Sequence, residues 1–310
     1  MMEALTEFNK ALERVNFKGT VKFGEPMSAH TSLRIGGAAD VLAFPEDVLS
    51  LKNLLVAAKA QKLPVFMLGA GTNLLVRDGG IEGIVVFMEA FKRIEVIQDE
   101  GGKVRLFVEA GVPLPALINF TGNKGYSGIE ALAGIPGSVG GAVYMNAGSF
   151  GAEIKDVIEA VTVMDMNGKI TVLRKDKLKF SYRSSNISDD VVILSANIAL
   201  KKDNPEAVTG RIREFLKKKK LTQPLGERSA GCVFKNPGGD SAGRLIDAAG
   251  CKGLKTGGVE VSMLHANYFI NRDRASCGDF IKLMEIVKKK VREHTGNMLE
   301  PEIKIIGKED

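Results

Sequence analysis

The longest uncharged stretch of the chain, Ala131 to Ala152, carries six glycines. Its length would suit a membrane span, yet Pro136, two serines and Asn146 lie among the glycines. Gly and Pro are poor helix formers, so a lipid-exposed helix is excluded. The glycine density reads instead as main chain packed closely against something, either a large ligand or a turn-rich sheet. The whole chain has 35 glycines in 310 residues, without a collagen-like period, and no Trp. Its length predicts about two domains and a core large enough to need no staples.

Charge and cysteine usage narrow the class further. The formal net charge of +6 is concentrated in two runs, Lys217–Lys220 and Lys288–Lys290. Both fall in helix-like segments and read as solvated faces. A nucleic-acid surface would interleave aromatic residues with the charge, and only Phe215 is near the first run. A mildly positive field still suits an anionic nucleotide. Cys232, Cys251 and Cys277 are odd in number and lack metal-ligand spacing, so neither a disulfide framework nor a metal site is expected. The first residues show no signal-peptide core, and a cytoplasmic protein is expected.

Periodicity organises the chain into mixed helix and strand. Helical spacing covers Glu3–Val15, and Val48, Leu51, Leu55 and Ala58 recur on one face of a helix opened by Pro45. Thr31–Gly37 reads as strand then turn. Strands are predicted at Val65–Leu68, Ile84–Met88, Val104–Ala110, Val157–Met164, Ile170–Leu173 and Val191–Leu200, with Asn167-Gly168 as a hairpin turn. A second portion starts near Pro205, with helices over Ala207–Leu221, Ala242–Ala249 and Cys277–Thr295. Short strands lie around Val259 and over Tyr268–Asn271 and Glu302–Ile306. The expectation is a domain over 1–204 and a smaller one over 205–310, the last segment (about 299–310) packing back on the first.

Five segments carry the candidate chemistry. Gly69-Ala70-Gly71-Thr72-Asn73 follows a strand, as a dinucleotide loop does. Leu74 stands at the third-glycine position, and the next residues read as strand and turn, which disfavours a Rossmann fold. Consecutive N–H groups in such a turn can still cradle a pyrophosphate, and a plain tight turn is the alternative. The second segment, Gly134-Ile135-Pro136-Gly137-Ser138-Val139-Gly140-Gly141 through Asn146-Ala147-Gly148, offers many N–H donors and the Ser138 hydroxyl. Tyr182-Arg183-Ser184-Ser185, the Cys232 segment SAGCVFKNP and the Glu302 segment LEPEIKIIG follow. Taken singly, these read as a surface ion pair, a core thiol and a strand carboxylate.

The ordered set GAGTNLLVRDGG, GIPGSVGGAVYMNAG, YRSS, SAGCVFKNP and LEPEIKIIG resembles the UDP-N-acetylenolpyruvoylglucosamine reductase (MurB) family from about Thr31 to Gly307. That resemblance implies an α+β chain with a vanillyl-alcohol-oxidase-like FAD-binding domain before a smaller α+β substrate-binding domain. It implies that Gly69–Asn73 binds the pyrophosphate of non-covalent FAD, and that Gly134, Ile135, Pro136, Gly137, Ser138, Gly140, Gly141 and Asn146 line the rest, with Arg34 and Gly36 nearby. Arg183 matches the active-site arginine, Glu302 the catalytic glutamate, and Cys232 the proton donor that is commonly Ser. Asn236 matches a substrate-binding asparagine; Lys217, Gln223 and Lys235 are further candidates for holding the nucleotide sugar. No Tyr lies between Tyr182 and Tyr268, as in the subgroup without a Tyr-bearing loop.

The implied reaction is NADPH-dependent reduction of an enolpyruvyl nucleotide sugar in peptidoglycan precursor synthesis, by a monomer without nucleic-acid or membrane partners. Arg183 suits a carboxylate on which charge builds, and a thiol gives up a proton more readily than a hydroxyl. The rival is another FAD enzyme of this fold acting on a sugar or hydroxy acid; such enzymes often tether FAD through His or Cys, and His30, His265 and His294 lie outside both Gly segments. A non-catalytic nucleotide-sugar binder is the other alternative, and the intact Arg183, Cys232 and Glu302 set argues against it.

Overall fold

The computed structural model describes residues 2–309. Among the described residues, seven helices form: α1 (Met2–Arg14), α2 (Val48–Ala60), α3 (Leu114–Lys124), α4 (Val139–Tyr144), α5 (Pro205–Thr222), α6 (Ala242–Ala248) and α7 (Cys277–Thr295). Strands and short 3-10 turns separate them, giving mixed α+β content. None of the helices is long and apolar enough to cross a membrane. The uncharged stretch breaks into a 3-10 turn, the short α4 and two two-residue strands.

The chain forms two compact units that are interleaved in sequence. One comprises Met1–Lys22, Val41–Ala70 and Gly83–Lys217; the other comprises Phe23–Asp40, Gly71–Glu82 and Lys218–Asp310. The expected boundary near 205 coincides with the first residue of α5.

In the first unit, a six-stranded sheet has a main path Ile170–Arg174, Ile158–Asp165, Val191–Lys202, Lys103–Glu109 and Ile94–Glu100, with Tyr126–Ser127 pairing the long third strand. Asn167-Gly168 makes the predicted hairpin turn, and Gly168 has φ +80°. Val104, Leu106 and Val108 alternate inward and pack with Leu117 and Ile118 of α3 and with Val208 and Ile212 of α5. A second core joins Phe8 and Leu12 of α1 to Leu51, Leu54 and Leu55 of α2. Asp47, rather than Pro45, starts α2: its carboxylate accepts from Ser50 N–H. The sequence expectations include no counterpart of α3, although Pro113, Leu117 and Ile118 lie on it or at its start.

The second unit is built on α7. Phe280, Leu283, Met284, Val287 and Val291 form its buried face, at about 1.5–3 kcal/mol per large side chain. Ser276 caps it in a reciprocal box with Asp279, and the Asp78 carboxylate accepts from Cys277 and Gly278 N–H. Against it lie α6 and a three-stranded antiparallel sheet ending in Phe269–Asn271. Leu74–Val76 pairs in parallel with Lys304–Ile306, so Asn73 leads into a strand and not a helix, as expected. The predicted strand over Thr31–Gly37 is absent. Arg34 and Gly36 take positive φ there, and buried Asn271 donates to the Leu33 carbonyl at 2.8 Å, turning the segment into a loop. Lys219 also departs from expectation: it is buried, while Lys217, Lys218 and Lys220 are exposed, so the run is not one solvated face.

Candidate active site

In the first unit, the two glycine segments face each other. A Cβ on Gly69 would come within 2.8 Å of Ser138 Oγ. Ser138 caps α4, accepting from Gly141 N–H at 3.3 Å. Val139 and Gly140 N–H donate to the Val112 and Ala110 carbonyls, and Ile135 N–H to Leu132. The segment is therefore poorer in available donors than its composition implied: four of its N–H groups hold its own fold. Gly140 is required for close approach, because a Cβ would lie 2.9 Å from Ala110 Cβ. Gly134 and Gly137 are required by φ of +77° and +132°. The main chain of Gly69 and of Gly134 to Gly137 remains half-exposed around an exposed Pro136.

Arg183 sits in the turn of a minimal hairpin, Phe180–Ser181 pairing Ser184–Ser185. Its φ is +56°, a left-handed conformation that costs a non-Gly residue roughly 1–2 kcal/mol. The hairpin is fastened to the end of α4: Asn146 Nδ2 donates to the Ser181 carbonyl at 2.9 Å, and Ser185 Oγ to the Tyr144 carbonyl at 2.8 Å. Asn146 is fully buried, left-handed itself (φ +46°), and accepts from Lys155 N–H. The Arg183 guanidinium lies over the Tyr182 ring at 5.1 Å, and its Nη1 is 3.4 Å from a Cβ built on Gly148. Burial would raise the nearby Glu153 carboxyl. Its pairing with Lys155, the Asn146 amide and the Arg183 charge outweigh that and hold it below the usual range. Sequence reasoning missed Gly148 and Glu153 as neighbours of Arg183.

In the second unit, the segments that carry Cys232 and Glu302 are joined through the main chain. Glu302 N–H donates to the Val233 carbonyl at 2.8 Å, and Phe234 bridges Pro301. On its other side, the Glu302 carbonyl accepts from Asn73 Nδ2 at 3.2 Å, and Asn73 O accepts from Lys304 N–H. Asn73 thus spends its amide on the Glu302 segment. Gly71 has φ +62°, and a side chain there would collide with the His30 carbonyl; Ser32 N–H donates to Gly71 O. Gly36 has φ +135°, and a Cβ would lie 2.6 Å from Val76 Cβ. Arg34 is exposed and donates to Ala29 O. Thr72 is half-exposed between them, and Ala70 in the first unit is exposed.

The substrate candidates diverge. Asn236 Oδ1 accepts from Ala242 N–H at the start of α6; Lys235 pairs with Glu300 at 3.6 Å; Gln223 Oε1 accepts from Tyr268 OH at 3.0 Å. Lys217 is exposed in the other unit. All three cysteines are thiols; Cys232 is half-buried, whereas Cys251 and Cys277 are buried. Burial pushes the Cys251 thiol up, and burial keeps His265 below its usual value, hence neutral.

Known proteins place this arrangement. Residues 39–174 match the family described as FAD binding domain, and residues 223–306 match UDP-N-acetylenolpyruvoylglucosamine reductase, C-terminal domain. A protein named UDP-N-acetylenolpyruvoylglucosamine reductase from Desulfosudis oleivorans is 44% identical over 300 residues, covering 94% of this chain and 96% of that one. One of the same name from Clostridium novyi is 41% identical over 304 residues, covering 98% and 97%. The crystal structure of UDP-N-acetylenolpyruvylglucosamine reductase from Thermus caldophilus is similar with TM-score 0.79 and 34% identity, over 93% of this chain and 99% of that one. Physcomitrella patens BBE-like 1, at TM-score 0.50 and 18% identity over 63% of this chain and 44% of that one, shares the fold alone. The fold class is that of an FAD-binding α+β oxidoreductase of the vanillyl-alcohol-oxidase-like kind, with a MurB-type C-terminal domain. The chain belongs to the UDP-N-acetylenolpyruvoylglucosamine reductase family.

Proposed function

We propose that this chain reduces UDP-N-acetyl-3-O-(1-carboxyvinyl)-glucosamine to UDP-N-acetylmuramate, with NADPH as reductant and FAD as the non-covalent redox group. The observation that supports the reading is the docking of Glu302 N–H on the carbonyl of Val233, which joins the main chain of the Glu302 segment to that of the Cys232 segment. The residues present fit FAD. Half-exposed backbone of Gly69 faces Ser138, and the half-exposed Gly134 and Gly137 add main chain without side-chain bulk on either side of Ile135 and Pro136. Gly69, Ala70, Gly71, Thr72 and Asn73 would hold the pyrophosphate. Gly134 to Ser138, Gly140, Gly141 and Asn146 would border the remainder, with Arg34 and Gly36 alongside.

Bound FAD supplies the two-electron relay that takes hydride from NADPH and passes it to the substrate's methylene carbon. Arg183 would meet the substrate carboxylate, because its planar fork matches two oxygens and stays charged as negative charge spreads into that group. Cys232 would protonate the adjacent carbon: the S–H bond breaks as the C–H bond forms, and the thiolate recovers a proton from water. An unperturbed thiol, at a pKa of about 8.5, is acidic enough to do so readily. Glu302 would stabilise the enol or set the donor's environment. Asn236, Lys235, Gln223 and Lys217 are proposed to hold the nucleotide sugar, although three of them already serve contacts within the protein. The protein is proposed to act in the cytoplasm as a monomer, in peptidoglycan precursor synthesis.

The optical spectrum of the purified protein tests the reading. A flavin band bleached by NADPH and restored by the enolpyruvyl substrate is expected; a colourless preparation that refuses flavin would overturn it.

A further inference from the structure

The segment that carries Cys232 is not part of a continuous sheet. Among the described residues, its strand-like pairings are two isolated bridges, Cys232 with Tyr268 and Phe234 with Pro301. Phe234 is nevertheless fully buried, and its N–H and C=O require partners away from water. One side chain supplies both. Asn267 Oδ1 accepts from Phe234 N–H at 2.9 Å, and Asn267 Nδ2 donates to Phe234 O at 2.8 Å. Its own carbonyl accepts from Val233 N–H at 2.8 Å. Asn267 therefore imitates a strand partner along one side of Val233-Phe234. The other side receives Glu302 N–H on Val233 O.

Asn267 is itself fixed. It is 1% exposed, and its N–H donates to His265 Nδ1 at 3.3 Å. Burial holds His265 neutral, which leaves that ring nitrogen able to accept. Among side chains of this size, only an amide presents a donor and an acceptor in one planar fork. An isosteric Leu would leave two buried backbone groups unpaired, and Asp would bring a charge.

Building on the reductase reading, we propose that Asn267 is a positioning residue for the proton-transfer step. It sets the height and angle of the Cys232 segment against the segment that presents Glu302, just before the strand Lys304–Ile306, and touches neither substrate nor cofactor. A misplacement of about 1 Å in such a group costs of order 10²-fold in rate.

The test uses flavin-loaded wild type, Asn267→Leu and Asn267→Ser, with three readouts. These are the rate of flavin bleaching by NADPH, the anaerobic rate of flavin recovery on adding substrate, and the iodoacetamide labelling rate of Cys232 by mass spectrometry. In Asn267→Leu, recovery should slow of order 10²-fold while bleaching stays within about twofold, and Cys232 labelling should shift more than about fivefold. Asn267→Ser, which keeps one hydrogen-bonding group, should fall between. Equal loss in both half-reactions, or unchanged recovery with unchanged labelling, would overturn the role. If Asn267→Leu does not fold, the serine variant decides by the same criteria. A wild type that bleaches with NADPH but never recovers with substrate sinks the reductase reading instead, and the labelling rates then decide the place of Asn267.

Discussion

Arg183 and the Cys232–Glu302 pair are held in opposite ways. Arg183 stands at the tip of a six-residue hairpin, in a backbone conformation that favours Gly, with its ring neighbour Tyr182 exposed. Cys232 and Glu302 lie on segments joined by backbone bonds, with the half-buried amide of Asn73 holding the Glu302 segment and the buried amide of Asn267 holding the Cys232 segment. The first arrangement stores strain to aim one long side chain; the second removes freedom from short ones. A guanidinium reaches far from its Cα, so the turn needs only to point it. A thiol has almost no reach, so its main chain must already be in place.

Substitutions at these positions test the two arrangements separately. The largest effect is expected at Cys232→Ala, which should slow substrate-driven flavin recovery about 10²–10⁴-fold while NADPH still bleaches the flavin. Cys232→Ser should retain substantial turnover, and full turnover by the alanine variant would remove the thiol from the mechanism. Arg183→Lys keeps a charge but loses the fork, and should lower kcat about 10²–10³-fold with the fold intact by circular dichroism. An unaltered kcat would leave Arg183 a surface residue.

Smaller effects belong to stability. Asn146→Ala removes the bonds to Ser181 and Lys155 and puts Ala at positive φ, and should cost about 2 kcal/mol by chemical denaturation. Glu153 supplies a pH dependence. Its folded pKa lies below the 4.5 of the free group, so its contribution is present above that value and is lost as pH falls through the folded pKa. Acid titration of Glu153→Gln should show a shallower loss below about pH 4.5 than wild type; coincident curves would refute the contribution. Arg183→Gly should raise stability by about 1 kcal/mol while abolishing turnover, the expected signature of strain kept for function.

Much of this was legible in the residues. Val65–Leu68 and Cys277–Thr295 were bounded as observed, because a short apolar run behind Pro64 and a five-residue apolar face fix element type locally. The failure of the Rossmann pattern at Leu74 was equally readable, since a strand follows at once. The donor count of Gly134–Gly141 was not: whether an N–H faces a ligand or the Ala110 and Val112 carbonyls depends on packing from elsewhere in the chain. Lys219 was misread for the same reason, as helical phase relative to a distant core decides which lysine of four is buried. Asn267 sat in view within Leu264-His265-Ala266-Asn267, where the imidazole drew notice. An asparagine set between Ala266 and the run Tyr268-Phe269-Ile270 was the available signal, since a polar side chain in an apolar segment needs a partner.

The residues alone carried most of the elements, though not α3, together with the lack of metal-ligand spacing among the cysteines and the family through five ordered motifs. Folding in three dimensions was needed to reveal that Asn73, placed in a cofactor loop, spends its amide on Glu302, and that Asn267 completes the hydrogen bonding of Phe234. A polar group's partner is fixed by proximity across long chain separations. Local pattern records which groups need partners, not which ones they find.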